Sequence, residues 1–376
     1  MLDRIAGFFR LIGRMIGRWV RVFFAWAFWP FMAARGWYVQ RTWMVRLPII
    51  GLVALLVVLY GYFVWQTQVW TGFNPSFVNE YRLSERKIPA GQELPVADGA
   101  TAPAAKACQR SAIVDVAADL TDFNVNQNAW ISSMLLYRLG FFGVDWDHTP
   151  FLDNKASFQR GVNQAVRRTS AELVDTLGRV RGTSGINSDL QDARGKLQFD
   201  EYSWYFGLNP FGPKTPTPSY YRSALESLRK FNTDLASCNA IFDTRADNLI
   251  QFIDRIANDL GSTSDVLADR SANHHRGWFD TRADDRFWFA YGQLYAYYAI
   301  LTAAQSDFSQ VVAERNLGAI FGATMRQFQA ALRIQPAIIS NGREDGLVMP
   351  SHLATMGFYI LRVRSNLVEL RSVLDR

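Results

Sequence analysis

Cysteine and histidine are scarce in this sequence, with two cysteines and four histidines among 376 residues. It also lacks a glycine-rich phosphate loop, a G-x-S-x-G nucleophile motif and an H-E-x-x-H zinc motif. These absences exclude, by motif, phosphate-loop nucleotidases, serine esterases of the α/β-hydrolase type and zinc proteases with that signature. We predict no cofactor and no metal site.

The basic charge is confined to the N-terminus. Residues 1–46 contain eight arginines and one aspartate, a balance of +7, so the remaining residues carry −1 of the net +6. A basic segment directly before a long apolar run is typical of a membrane protein, which indicates lipid head groups as partners and not nucleic acid. The mean hydropathy of −0.06 is too low for a chain that lies mostly in a membrane.

Charge is absent from Leu47 to Asn79. About 20 helical residues cross the hydrocarbon core, so we predict a transmembrane helix over 47–70. Aromatic residues flank it as two interfacial belts: Trp37, Tyr38 and Trp43 on one side, and Tyr60, Tyr62, Trp65 and Trp70 on the other. A buried core helix and a cleavable signal peptide are the alternatives; the 46 residues before the run and the lack of a small-residue cleavage site disfavour the signal peptide.

The N-terminal segment has a helical period of its own. Apolar residues from Ile5 to Phe23 recur every three or four positions, and four arginines form the opposite stripe: Arg10, Arg14, Arg18 and Arg21. This pattern predicts an amphipathic helix whose cationic face contacts anionic head groups. We expect 22–34, broken by Pro30, to lie in the interface; a partner's membrane domain is the alternative contact.

These features predict four parts: a cytoplasmic basic segment (1–46), a transmembrane signal anchor (47–70), a tether (71–107) and a periplasmic domain (108–376). The arginine excess on the N-terminal side predicts this orientation in the bacterial inner membrane. The tether is inferred from an Ala-, Pro- and Gly-rich stretch without aromatic residues, 84–107. The domain is predicted to be an all-α bundle because its apolar periods are helical throughout.

One long helix is predicted in the domain. After Thr217-Pro218, neither glycine nor proline occurs until Gly261, which gives a helix of about 43 residues. Apolar positions along it form a coiled-coil seam: Tyr221, Leu225, Leu228, Leu235, Phe242, Ala246, Leu249, Ile253, Ile256 and Leu260. Asn232 and Asn239 interrupt the seam. We interpret them as residues that fix register across the bundle, with a polar lumen as the alternative.

Four other helical segments are predicted. A heptad run after Pro350, from Leu353 to Leu374, can pair with the long helix, and 154–180 is amphipathic. Segment 308–333 contains Gly318 and Gly322, which indicate a close helix crossing. Residues 287–304 carry no charge, and we predict a central bundle helix there because Gln293 and interior aromatic residues disfavour the alternative, a second membrane span.

Candidate chemistry is sparse. Asp145, Asp147, His148 and Asp153 form the densest polar cluster, and paired carboxylates are what glycan hydrolysis requires. We favour the interpretation that Asp153 or Asn154 is the N-cap of the following helix. Cys108 and Cys238 are either a disulfide in an oxidising compartment or two buried thiols.

Three strings carry a family resemblance: DNKASFQRGVNQAVRR, FDTRADNLIQFIDRIANDLGSTS and MPSHLATMGFYILRVRSNLVEL. With the basic N-terminus and the single span, they resemble the bacterial membrane family called domain of unknown function 2333, from about residue 40 to the end. The resemblance implies a Gram-negative inner membrane and transfers no catalytic residues.

Three functions are compatible with the sequence. The first is an envelope scaffold or interaction module with a protein partner, without catalytic activity. The second is a module that binds a lipid or a glycan fragment in an aromatic pocket lined by Trp278, Trp288, Tyr291 and Tyr295. The third is a hydrolase that uses Asp145 and Asp147.

Overall fold

Helices make up most of the chain in a computed structural model that describes residues 2–95, 106–141, 143–149, 151–179, 185–208, 210–346 and 348–376. The side chains of 2–14, 16, 17, 20, 27, 147 and 208 lie outside this description. The helices are α1 Leu2–Val39, α2 Trp43–Gln68, α3 Ala112–Asp122, α4 Leu135–Leu139, α5 Asn154–Glu172, α6 Ser188–Leu197, α7 Thr217–Ala236, α8 Ala246–Asn273, α9 Ala283–Asp307, α10 Ser309–Glu314, α11 Gly318–Leu332 and α12 His352–Leu374. One small antiparallel hairpin pairs β1 Phe206–Leu208 with β2 Phe211–Pro213. The all-α prediction is confirmed.

The chain divides into two compact units, Met1–Tyr62 and Phe63–Arg376. In the first unit α1 continues through Pro30, so the predicted break there is wrong. Proline removes one backbone hydrogen bond, and the other turns of a 38-residue helix keep it intact. Arg46 donates from Nε to the carbonyl oxygen of Tyr38 at 3.2 Å, which satisfies one of the free carbonyls at the end of α1.

Helix α2 is the one described helix that is long and apolar enough to cross a membrane. Its large apolar side chains are exposed over most of its length, for example Leu52, Val57 and Trp65. A helix that is apolar all round and exposed is unstable in water, so this surface requires an apolar environment.

Helix α9 is the central helix of the second unit and packs against α3, α5 and α11. Its residues from Ala290 to Leu301 are all buried. The prediction of a central bundle helix over 287–304 is therefore confirmed, and the alternative of a second span is wrong.

Glycines allow α5 and α9 to cross closely. A Cβ on Gly161 would clash with the carbonyl oxygen of Phe289, and one on Gly292 would clash with that of Phe158. The close crossing predicted from Gly318 and Gly322 is wrong, because a Cβ on Gly318 would meet open space. Segment 308–333 also forms two helices, α10 and α11, and not one.

The predicted 43-residue helix is wrong, because residues 237–245 separate α7 from α8. Cys238 has a left-handed backbone (φ 61°) and forms a disulfide with Cys108 across a Cα–Cα distance of 5.3 Å. The N–H of Cys108 also donates to the carbonyl oxygen of Ala236 at 2.8 Å. The break thus occurs where α7 is joined to the segment before α3, and α8 starts anew at Ala246.

Seam residues of the predicted long helix are buried in both halves, although they face different neighbours. Helix α7 packs against α3 and α6, whereas α8 packs against α12. The heptad run of α12, from Leu353 to Leu374, is buried as predicted. Asn232 is buried, and its side-chain amide accepts from the N–H of Ser111 and donates to the carbonyl of Ser111, which confirms a bond across the bundle. The prediction is wrong for Asn239, which is exposed in the turn after α7 and bonds Ser237 two residues away.

The described part of the predicted tether does not form a flexible linker but packs on the second unit. Val78, Leu83 and Ala90 are buried in the core of the second unit. The carbonyl of Asn74 accepts from the hydroxyl of Tyr295 at 3.1 Å, and the N–H of Ala90 donates to the carbonyl of Asp307. This segment therefore follows α9 along its length, and the prediction fails because aromatic residues before Ser84 pack on the bundle. The rest, 96–105, lies outside the described residues.

Candidate functional site

The end of α2 is held by a buried lysine. The Nζ atom of Lys155, at the start of α5, donates to the carbonyl oxygens of Gln66 at 2.9 Å and Val69 at 2.6 Å. Carbonyls at a helix C-terminus lack intrahelical partners and carry partial negative charge, so a cation satisfies both needs. Burial lowers the pKa of Lys155 to about 8, because the charged form loses hydration.

A segment that we call the collar, the described residues of 135–151, packs on the same end of α2. The ring of Trp146 lies 4.9 Å from that of Phe63, and its Nε1 donates to the carbonyl oxygen of Leu136 at 2.7 Å. The amide of Gln68 donates to the carbonyl oxygen of Phe151 at 2.9 Å. The last turns of α2 are therefore part of the folded unit that begins at Phe63.

Three carboxyl groups meet beneath the collar, where α5 and α9 begin. This acid cluster consists of Asp153, Asp284 and Asp285. Asp285 accepts a hydrogen bond from Ser157 Oγ at 2.6 Å and lies 3.7 Å from a guanidinium nitrogen of Arg160. Burial, and then the neighbouring Asp285, raise the pKa of both Asp153 and Asp284. Protonation of one carboxyl lets it donate to its neighbour, which lowers the repulsion within the cluster.

The four sequence-predicted acid and histidine residues do not form one site. Asp145 and His148 are exposed, whereas Asp153 is fully buried. His148 Nε2 lies 3.4 Å from a guanidinium nitrogen of Arg282. The side chain of Asp147 lies outside the described residues. Asp153 is the N-cap residue of α5 by position, without a capping hydrogen bond from its side chain.

The predicted aromatic pocket is not assembled. Tyr291 and Tyr295 are buried, and their hydroxyls donate to the carbonyls of Leu332 and Asn74. Trp278 is exposed in the loop before α9 and Trp288 is half-buried. The aromatic side chains of α9 are thus mainly core residues. The backbone carbonyls supply the hydrogen-bond partners that buried tyrosine hydroxyls require.

A cavity of about 420 Å³ with both polar and apolar lining lies instead among α5, α8 and α9. We call it the arginine cleft because Arg168, Arg255 and Arg286 line it, with Asn258, Asp259, Ser262 and Gln293. Asp259 accepts from Gln293 Nε2 at 2.9 Å and from the Tyr297 hydroxyl at 2.7 Å. Gln293, which lies within the charge-free run of α9, therefore serves this network.

Metal binding is not indicated by the geometry. Among the side chains that the structure describes, no three His, Cys, Asp or Glu residues are grouped so that they could hold a metal ion.

The comparisons with known proteins give one match. The profile of a family described as "Uncharacterized protein conserved in bacteria (DUF2333)" matches residues 101–276 and 268–376. The chain belongs to this family. Comparison with the curated proteins and with the solved structures gives no match.

Family membership covers α3 to α12, so the acid cluster, the arginine cleft and the collar all lie within the matched part of this DUF2333 chain. The sequence interpretation missed Asp284 and Asp285 because they are about 130 positions from Asp153 and only the packing of α5 on α9 brings them together. The string ADDR at the start of α9 was the available signal, since acidic residues favour helix N-termini.

The four predicted head-group arginines all lie on α1. Arg18 and Arg21 are exposed, as contact with head groups requires. The side chains of Arg10 and Arg14 lie outside the described residues, and membrane contact stays a prediction for all four.

Proposed function

We propose that this protein is anchored in the bacterial inner membrane by α2 and presents its helical domain in the periplasm as an interaction module of the cell envelope. The observation that carries the proposal is the bond of Lys155 to the last carbonyls of α2. Because the last turns of α2 belong to the folded unit that begins at Phe63, the domain would be held directly at the end of its anchor, which suits a scaffold.

Two observations support the orientation. The arginine excess before α2 favours a cytoplasmic N-terminus. The disulfide between Cys108 and Cys238 is typical of an oxidising compartment, such as the periplasm, and lies after α2 in the chain.

The surface that we assign to a protein partner is the outer face of α12. Phe358, Leu361 and Val368 are exposed there, about one and three turns apart on one face. Apolar side chains gathered on one helix face mark interaction sites more often than single exposed ones do.

Site-specific photo-crosslinking in cells tests the proposal. A benzoylphenylalanine at Phe358 should give a discrete crosslinked protein band, and the same residue at Glu226, exposed on α7, serves as the matched control. A partner that crosslinks equally at both positions, or no crosslink at any α12 position, would contradict the assignment of α12.

The arginine cleft favours a second candidate function, the binding of a small anion with an apolar part. Arg168 and Arg255 are paired with Asp259 and Glu172, whereas no acidic partner faces Arg286 among the described ion pairs. Val266, Leu267 and Phe289 supply apolar lining. This candidate replaces the predicted aromatic pocket.

Dodecyl phosphate is a suitable probe for the cleft. It should raise the midpoint of thermal unfolding of the full-length protein, and Arg286→Gln should abolish most of this rise. Arg222→Gln, on α7 away from the cleft, is the control. A rise that survives Arg286→Gln would show that the probe binds elsewhere.

A further inference from the structure

A tight hairpin in the collar presents apolar side chains to the surroundings. Phe141 and Val144 exchange both backbone hydrogen bonds, at 2.8 and 3.1 Å. Gly140 and Gly143 have positive φ angles of 67° and 91°, which the turn requires and which glycine adopts without strain. We call the described residues of 140–146 the finger.

The finger and its neighbours form an exposed apolar rim. The exposed fraction is 51% for Phe141 and 55% for Val144, and 57% for Leu139 just before the finger. Phe151, which follows it, is also exposed. Turns on a water-facing surface are usually polar, so side chains of this kind at a turn indicate a non-aqueous contact.

The position of the finger relative to α2 identifies that contact. Trp146 at its base packs on Phe63. The charge-free run begins at Leu47, and about 20 residues cross the hydrocarbon core, which places its far edge near Gln66. Phe63 lies three residues earlier, or about 4.5 Å below that edge. The base of the finger is therefore level with the boundary between acyl chains and head groups.

We propose that the finger inserts into the lipid of the same bilayer that α2 crosses, so that the domain contacts the periplasmic leaflet at a second point. The proposal rests on the proposed function, because α2 defines the level of the membrane. Lipid is the occupant because Val64 and Trp65, which directly follow Phe63 on α2, are exposed at the level where that helix would meet acyl chains and head groups.

A lipid-inserted finger has a mechanical consequence. One helix alone leaves a domain free to tilt about its anchor, whereas a second contact several ångströms from the helix axis restricts that tilt. Lys155 and the finger would then fix the domain together, the first by hydrogen bonds to α2 and the second by apolar contact with lipid.

The test uses the full-length protein in lipid nanodiscs with a single added cysteine that carries the environment-sensitive dye NBD. Because Cys108 and Cys238 are joined in the disulfide, the dye reacts with the added thiol. The test position is Val144→Cys. Ile241→Cys is the matched control, since Ile241 is exposed and lies in the turn near the opposite end of α9, a helix about 37 Å long. Val57→Cys in α2 reports on the anchor.

We expect a blue-shifted emission at position 144 and severalfold stronger quenching by lipids with a spin label in the acyl chain than at position 241. Solvent-like emission at 144 with strong quenching at 57 would overturn the finger proposal and leave the anchor intact. A blue shift at 144 without lipid quenching would also overturn it, in favour of a protein contact. Weak quenching at 57 would overturn the anchor, and the finger proposal with it.

Discussion

The hydroxyl of Ser111 donates to Oδ2 of Asp307 at 2.7 Å, and this bond joins the start of α3 to the end of α9. The same carboxylate accepts from the N–H groups of Ala112 at 2.8 Å and Ile113 at 2.9 Å. Asp307 thus supplies partners for the first N–H groups of α3, which have none within their own helix. Burial nevertheless raises the pKa of Asp307 to about 6, because these bonds offset only part of the lost hydration.

The stabilising effect of Asp307 should depend on pH. Its folded-state pKa exceeds the ordinary value of 3.8, so its contribution is fully present below pH 3.8 and is lost as the pH rises through about 6. The free energy of unfolding of the wild type, relative to Asp307→Asn, should fall by about 2 kcal/mol between pH 4 and 7. Denaturant titration in detergent measures it. A difference that is flat with pH would contradict the burial effect, and Asp145→Asn, at an exposed site, is the control.

Loss of Lys155 should destabilise the contact between the end of α2 and α5. Lys155→Met leaves the carbonyls of Gln66 and Val69 without their donor. Each unsatisfied buried polar group costs about 1–3 kcal/mol, so loss of the donor to two carbonyls should decrease the free energy of unfolding by roughly 2–6 kcal/mol. Lys230→Met on the exposed face of α7 is the matched control and should leave stability unchanged. Equal effects of the two variants would show that water replaces the donor.

The crossing of α5 and α9 should not tolerate a methyl group. Gly161→Ala forces the backbones apart at the carbonyl of Phe289, and overpacking of this kind costs about 1–3 kcal/mol. Gly195→Ala in α6 meets open space and should raise stability by up to about 1 kcal/mol, because alanine favours a helix. Thermal unfolding of both variants measures the contrast, and a stable Gly161→Ala protein would mean that the helices separate at little cost.

Periodicity and charge alone predict much of this fold. The charge-free run identifies α2, and the apolar pattern identifies α5, α9 and α12, because burial in a helix repeats at fixed spacing. The break at Cys238 has no such signal, since neither glycine nor proline occurs there. A disulfide and the hydrogen bonds around it stop α7, and these depend on a residue 130 positions away.

Candidate sites are harder to predict because their residues are distant in sequence. Asp145 and Asp153 look like one cluster along the chain, yet one is exposed and the other buried beside Asp285. Lys155 has no feature in the sequence that distinguishes it from a surface lysine, and only its contact with the end of α2 shows its role. Contacts between separate helices decide these roles, and a single sequence records no pairing of helices.

Relative to the wild type, Asp153→Asn should become more stable as the pH rises. Burial beside Asp285 raises the pKa of Asp153, so the stability that its neutral form gives is lost as the pH rises through the folded-state value. The amide cannot ionise. In denaturant titrations, the free energy of unfolding of the variant relative to that of the wild type should therefore increase from acidic to alkaline pH. Asp145→Asn provides the exposed control. A variant less stable than the wild type at alkaline pH would indicate that a charged Asp153 has a partner the fold requires.

The disulfide between Cys108 and Cys238 should stabilise the domain and report its compartment. A bridge across 130 residues restricts the unfolded chain and contributes up to about 5 kcal/mol by the chain-entropy argument. Cys108→Ser should lower the free energy of unfolding by an amount that approaches this value, and Thr233→Ser on exposed α7 is a control of similar chemistry.

In cells, thiol alkylation before and after reduction should show both cysteines of the disulfide protected in the oxidised protein. Free thiols in freshly alkylated cells would place the domain in a reducing compartment and overturn the proposed orientation, whatever the stability measurement shows.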